Sequence, residues 1–263
     1  MDKYKKFIET AEWSIREEPA IKILQADFPQ EIVKEINDYI DDVVLSKNED
    51  YSHHLAGQLK EDERSAQLDF PFDSGIGKEL KSVLDAFGNA YVAKGFGRKA
   101  KTEVVEIWTN HAYAGDYNPF HDHGSRTFAG LSGFLWLTIP EGINPANENV
   151  SLNNASGIAD GWTQLIWGTT SRRDVMELKP VTESYECPVA GRLLVFPSWL
   201  KHQVLPFFGE GERRSIAMNW AIHDSDEEVQ KYMSKGELEK LSKTNNKSEL
   251  LGSRELFDVV VYD

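Results

Sequence analysis

The stretch Asn118-Pro119-Phe120-His121-Asp122-His123-Gly124 sets two histidines and a carboxylate on three consecutive positions. Far downstream, Ser198-Trp199-Leu200-Lys201-His202 supplies a third histidine, and Arg213-Arg214-Ser215 follows it. Neutral imidazole is a good ligand for Fe(II). Iron that activates dioxygen is commonly held on one face by two histidines and a carboxylate, with the other positions open. His121 and His123 share a face if their segment is extended, and Asp122 then points off it. A tight turn would offer Asp122 instead, so the third ligand could be His123, Asp122 or water. Taken singly, His-Asp-His could be a hydrogen-bonded turn and His202 a satisfied core histidine. Their order and spacing together favour a metal.

Arg213 carries the other half of that chemistry. On a strand, Arg213, Ser215, Ala217 and Asn219 face one way, and Arg214, Ile216, Met218 and Trp220 the other. A buried guanidinium flanked by a hydroxyl is suited to hold a carboxylate through paired hydrogen bonds. An acidic co-substrate beside the metal would need that. The bland alternative is a surface arginine pair after the turn Gly209-Glu210-Gly211.

Strands must carry these groups. Thr102–Thr109 alternates, with Val105 and Ile107 expected on one face. Leu131–Ile139 is strongly apolar and stops at Pro140. Trp162–Trp167, Arg192–Phe196 and Arg213–Ala221 read as further strands, and His202 is expected at the end of the fourth. Asn110–Asn118, 144–161 and 168–190 read as connections. The last two would sit at the barrel mouth and could shape substrate choice. Trp162, Trp167, Arg172 and Arg173 are candidates there, although the tryptophans are more simply core or rim packing and the arginines a solvated pair.

Helices flank this region. Residues 1–18 are charged and helical in character, and Ile21–Leu24 is a short strand candidate. Pro29 suits a first helical turn, and Ile32, Ile36, Tyr39, Ile40 and Val43 recur at helical spacing to about Val44. A second amphipathic helix carries Leu80, Val83, Leu84, Phe87 and Tyr91 and ends at Gly95-Phe96-Gly97. Residues 46–75 read as a polar surface loop in which His53-His54 is most simply solvated. A helix over Glu227–Lys243 and a terminal strand over Leu256–Tyr262 complete the chain. Many short strands without alternating helices favour an antiparallel barrel or jelly roll. The expected organisation is an N-terminal helical and loop region (1–100), a β core (101–222) and a C-terminal extension (223–263).

Composition narrows the function classes. The chain has 263 residues, is 40% hydrophobic and 11% aromatic, and suits a globular core rather than a disordered chain. Its net charge of −14 argues against general binding of nucleic acid or anionic membrane. The single cysteine, Cys187, allows neither an intrachain disulfide nor a cysteine-held zinc. No long apolar run follows the N-terminal lysines, and Phe128–Ile139 is too short to span a bilayer. A cytoplasmic protein is expected, with oligomerisation through the terminal elements an open possibility.

The pattern Trp108-x-Asn110, Gly115-Asp116-Tyr117-Asn118, His121-x-His123, Leu131-Ser132-Gly133-Phe134, Gly191-x-Leu193-Leu194-Val195-Phe196-Pro197-Ser198-Trp199, His202, Arg213-x-Ser215 and Asn219 resembles the Fe(II)/2-oxoglutarate-dependent oxygenases. It is most similar to a branch found in bacteria and marine phages. The likeness spans about residues 101–222. It implies a mainly β fold with flanking helices, a double-stranded β-helix of the jelly-roll, cupin-like type. It further implies that His121 and His202 bind Fe(II), and that Arg213 pairs with the far carboxylate of 2-oxoglutarate, with Ser215 beside it. Many members have His-x-Asp or His-x-Glu where this chain has His-x-His. His123 is therefore the favoured third ligand, with Asp122 as its alternative. Tyr113, Asn118 and Asn219 are co-substrate or ligand-orienting candidates. The implied reaction couples oxidative decarboxylation of 2-oxoglutarate by dioxygen to hydroxylation of a small-molecule or peptide substrate. Two other readings remain: a three-histidine cupin-type dioxygenase that does not use 2-oxoglutarate, and a non-catalytic jelly-roll binding module.

Overall fold

The computed structural model describes residues 21–52, 55, 66–97, 100–123, 130–143, 159–168 and 182–224. The expected elements at 1–18, Glu227–Lys243 and Leu256–Tyr262, the pair His53-His54 and the pair Arg172-Arg173 lie outside the described residues.

Ten described strands form two antiparallel sheets. They are β1 (Leu24–Asp27), β2 (Gln67–Asp69), β3 (Ala100–Ala112), β4 (Asn118–His121), β5 (Leu131–Thr138), β6 (Thr163–Ile166), β7 (Glu183–Glu186), β8 (Arg192–Pro197), β9 (Lys201–Val204) and β10 (Arg213–Asp224). The larger sheet runs β1-β8-β5-β10-β3-β2 and the smaller β4-β9-β6-β7. From β3 onward the chain passes between the sheets, so strands distant in sequence become neighbours. β10 lies between β3 and β5, and β9 between β4 and β6. This is the expected double-stranded β-helix.

Helix α1 (Gln30–Tyr39) starts after Pro29 and continues through a π-helical stretch at Ile40–Val44 and a last turn at Leu45–Lys47. Pro29 has no N–H to satisfy, so it fits the start of a helix without loss. Helix α2 (Gly75–Ala90) also continues into a π-helical stretch, Tyr91–Gly95, and Gly97 at φ +65° lets the chain turn away. Both helices pack on the outer face of the larger sheet. Ile36, Ile40, Leu80 and Leu84 bury there with Val104, Ile107, Leu135, Met218 and Trp220. Trp220 Nε1 donates to the Leu84 carbonyl at 3.0 Å and ties β10 to α2. A second apolar cluster, including Trp108, Phe134, Trp136, Leu165, Leu194, Phe196 and Ala217, fills the space between the sheets. Alternate residues of one strand thus serve two different cores.

Several boundaries differ from the sequence expectation. The first strand begins at Leu24 rather than Ile21, and β10 runs on to Asp224. The stretch read as a surface loop over 46–75 contains β2, with Leu68 and Phe70 fully buried. Residues 182–190, read as part of a connection, contain β7. His202 sits on a strand of its own, β9. In β3, Val105 does not share a face with Ile107. A bulge opposite Asn219/Trp220 inserts one residue, so Val104 packs beside Ile107 while Val105 is 43% exposed.

Candidate active site

β4 and β9 pair so that His121 and His202 lie opposite each other. The chain then bends, and the His123 N–H bonds the Ser198 carbonyl at 2.9 Å. Two short backbone constraints therefore bring three imidazoles together. Their ring centroids lie 4.3 Å (His121–His202), 5.2 Å (His123–His202) and 5.4 Å (His121–His123) apart. One ring nitrogen from each falls within 4.8 Å of the others. Asp122 points elsewhere, its Oδ2 3.9 Å from Lys201 Nζ.

The remaining ring nitrogens show how each imidazole is set. His121 Nδ1 meets the Pro119 carbonyl at 2.6 Å and His202 Nδ1 the Leu200 carbonyl at 2.9 Å. His123 Nδ1 meets Asn219 Oδ1 at 2.9 Å. The carbonyl and amide oxygens have no proton to give, and the Ser132 hydroxyl, 3.0 Å from His123 Nδ1, gives its own to Asn219 Oδ1, so each Nδ1 carries the hydrogen. Each Nε2 is then the lone-pair nitrogen, which is the tautomer a metal needs. Burial lowers the pKa of all three histidines, most strongly His202, where the neighbouring His121 and His123 lower it further. The cluster consists of neutral imidazoles at neutral pH. Three neutral nitrogen donors on one side of an open cavity fit a divalent transition metal such as Fe(II).

These imidazoles line a cavity of about 420 Å³ between the sheets. Its wall also carries Arg213, Ser215 and Asn219, the β10 face that strand parity selects. Arg213 is 4% exposed, and its NH2 donates to Thr163 Oγ1 at 3.3 Å. Its buried Nε has no hydrogen-bond partner, and burial pulls the guanidinium down to about 10. Two more buried polar atoms on the same wall also lack partners, Trp136 Nε1 and Asn118 Oδ1. Trp136 stands opposite Ser215 on the neighbouring strand. A buried cation with an unused donor, beside a hydroxyl and an unused indole N–H, fits a bound carboxylate.

Arg214 faces the helices instead. It bonds Glu212, Asp41 and Asn37, and so belongs to the scaffold. Ser215 Oγ accepts from Asn110 Nδ2 at 3.5 Å. Tyr113 does not line the cavity; its backbone N–H bonds Asp116 Oδ2 at 2.8 Å. Asn219 lines it but is engaged by His123, Ser132 and Glu106. Trp162 and Trp167 are half-buried and do not line the cavity, and Trp167 packs against the inner core. Glu106, Trp136 and Thr163 escaped the sequence reading, and Ser132 entered it only within the stretch Leu131-Ser132-Gly133-Phe134, with no role. Nothing in their local pattern marks them, since each is an ordinary strand residue until the sheets close.

Residues 106–219 match the model of a family described as "Putative 2OG-Fe(II) oxygenase". That segment holds His121, His123, His202 and Arg213. The cofactor of that family is Fe(II), and its co-substrates are 2-oxoglutarate and dioxygen. Among solved structures, the non-haem α-ketoglutarate-dependent carbocyclase SnoK from nogalamycin biosynthesis shares the fold of the oxygenase. The TM-score is 0.50 at 12% identity, over 78% of this chain and 81% of that one. A prolyl-4-hydroxylase from Pseudomonas putida is similar at 18% identity, over 76% of this chain and 93% of that one, with a TM-score of 0.48. No curated protein matches the chain in sequence. Among the described residues, no helix is long and apolar enough to cross a membrane.

Proposed function

We propose that the barrel core hydroxylates a small-molecule or peptide substrate, with His121, His123 and His202 holding Fe(II) and Arg213 holding 2-oxoglutarate. The observation that carries this reading is the shared tautomer. Three imidazoles, His202 buried and His121 and His123 partly so, each commit Nδ1 to an oxygen acceptor and bring one ring nitrogen within 4.8 Å of the others, beside a buried arginine with an unused donor.

Bound iron with 2-oxoglutarate and dioxygen supplies the oxidising power, the co-substrate leaving as succinate and CO₂. The residues of the chain do the rest. His121, His123 and His202 would hold the metal through the ring nitrogens they bring together at the cavity. Arg213 and Ser215 anchor the far carboxylate of the co-substrate, with the Trp136 N–H and Asn118 as further polar contacts. Trp108, Phe134 and Phe196 form an apolar floor under the histidines and keep water from the reacting end. The mouth carries Tyr51, Tyr117, Phe120 and Lys201, and Lys201 Nζ lies 5.4 Å from the Phe120 ring centroid. A substrate would meet these groups first. Helices α1 and α2 act as a buttress for the sheet that carries Arg213.

Metal binding by single variants tests the ligand set. H202A and H123A are expected to lose Fe(II) under anaerobic conditions, and D122A to keep it. Adding 2-oxoglutarate to the Fe(II) protein should produce a weak visible charge-transfer band. Retention of Fe(II) by H123A with its loss in D122A would replace His123 by Asp122 as third ligand.

A further inference from the structure

The cavity wall contains an acid that the reading above does not use. Glu106 lies on β3, opposite Asn219 on β10, and Asn219 in turn lies opposite Ser132 on β5. The three side chains form one row across three strands, on the inner face of the larger sheet. Asn219 Nδ2 donates to Glu106 Oε2 at 2.6 Å. Ser132 Oγ donates to Asn219 Oδ1 at 2.6 Å, and the same Oδ1 accepts from His123 Nδ1 at 2.9 Å. Tyr51, stacked on Trp108 with centroids 5.2 Å apart, hydrogen-bonds Glu106 from the far side.

The row has one consistent polarity. A carboxylate only accepts, so Glu106 requires the NH₂ end of the Asn219 amide. That fixes the amide with Oδ1 toward His123. An amide oxygen also only accepts, so His123 must carry its proton on Nδ1. Nε2 of His123 is therefore set as a lone-pair donor by a group two hydrogen bonds away. His121 and His202 receive the same instruction from backbone carbonyls, which carry no net charge. Among the described residues, His123 is the one histidine of the three whose hydrogen bonds lead to a carboxylate.

We infer that Glu106 is a positioning residue for the metal. Through Asn219 it locks the His123 tautomer and polarises that ring, supplying from outside the ligand set the negative charge that a two-histidine, one-carboxylate face would hold within it. Such outer partners raise the basicity of the imidazole they bond and are worth about 10- to 100-fold in metal affinity. The inference rests on His123 being a ligand, as proposed above.

Co(II), a coloured substitute for Fe(II), provides the readout without turnover. E106Q keeps an acceptor oxygen for Asn219 and removes the charge. It is expected to weaken Co(II) binding by about 10- to 100-fold while leaving the unfolding midpoint of the metal-free protein in place. The double variant E106Q/N219D moves the charge one bond nearer His123 and is expected to recover most of the lost affinity. Long-range ¹⁵N–¹H correlation spectra of the metal-free native protein give a check that needs no variant, since His123 should appear as the Nδ1–H tautomer. Co(II) affinity of E106Q within twofold of native, a double variant no tighter than E106Q, or His123 as the Nε2–H tautomer would each overturn the inference. If those results came with native protein that binds Co(II) and 2-oxoglutarate, the proposed function would stand. Native protein that binds no metal at the cluster would overturn both.

Discussion

Arg213 should cost the empty protein stability and give it affinity for 2-oxoglutarate, so R213M should change the two in opposite directions. Methionine keeps much of the length of the side chain and removes its charge. In the native chain the guanidinium is 4% exposed, and its one described hydrogen bond is the 3.3 Å contact with Thr163. No carboxylate among the described residues pairs with it. Burial alone pulls its pKa down to about 10, which corresponds to about 3 kcal/mol of desolvation carried by the charged form. Losing the Thr163 contact costs about 1 kcal/mol. R213M should therefore be more stable than native when no co-substrate is present, by about 1–2 kcal/mol. For a domain of this size that raises the unfolding midpoint by about 2–6 °C. Binding should move the other way. Two charge-assisted hydrogen bonds at about 1.5–3 kcal/mol each are lost, so 2-oxoglutarate should bind at least about a hundredfold more weakly. Calorimetry of the metal-free protein and anaerobic titration of the Fe(II) protein measure the two. R213M that is less stable than native and binds 2-oxoglutarate within a few-fold of native would refute the reasoning, because Arg213 would then be a strut.

Three further outcomes follow from the same structure. W136F removes the unpartnered indole N–H and should weaken 2-oxoglutarate about fivefold, the value of one ordinary hydrogen bond, without loss of stability; unchanged affinity in titration would place the co-substrate elsewhere. In Glu212, burial alone would raise the pKa, but the hydrogen bond from His111 and the charge of Arg214 bring it below the ordinary carboxylate value. Its folded-state pKa is thus depressed, so its contribution is present above the unfolded value of about 4.5 and fades as pH falls below it. E212Q should lose stability at neutral pH and show a flatter acid limb in denaturant titrations, and parallel native and variant profiles would contradict this. G133A would place its Cβ 2.5 Å from the Leu194 carbonyl oxygen and 3.1 Å from the Trp220 ring, neither of which can swing aside. It should cost about 1–3 kcal/mol in thermal unfolding.

Much of this site was legible because strand parity is a local property. The face of β10 that holds Arg213, Ser215 and Asn219 follows from alternation alone, and the cavity uses that face. His-x-His with a distant His also signalled itself, because histidines so arranged are chemically conspicuous. Parity failed in β3, where a bulge that no residue type announces moved Val104 beside Ile107 and left Val105 exposed. The short strands β4, β7 and β9 lack the length to show a period, and each is held by its neighbours in the smaller sheet. Glu106 and Trp136 were invisible for another reason. A glutamate in an alternating strand reads as a solvated face, and a tryptophan in an apolar strand reads as core. Only the closure of the two sheets sets Glu106 behind His123 and the Trp136 N–H beside Ser215. The chain bends after β4 rather than staying extended, yet it is His123 that joins the histidine cluster, because its N–H reaches Ser198 while Asp122 turns toward Lys201.

Succinate production by the Fe(II)-loaded protein, with oxygen and 2-oxoglutarate but no added substrate, tests the central claim most directly. The account predicts slow, iron-dependent conversion of 2-oxoglutarate to succinate, absent in H202A and strongly reduced in R213M at the same co-substrate concentration. Native protein that binds one Fe(II) per chain yet forms no succinate, and gives no charge-transfer band with 2-oxoglutarate, would contradict it and leave a three-histidine metal site serving a different reaction.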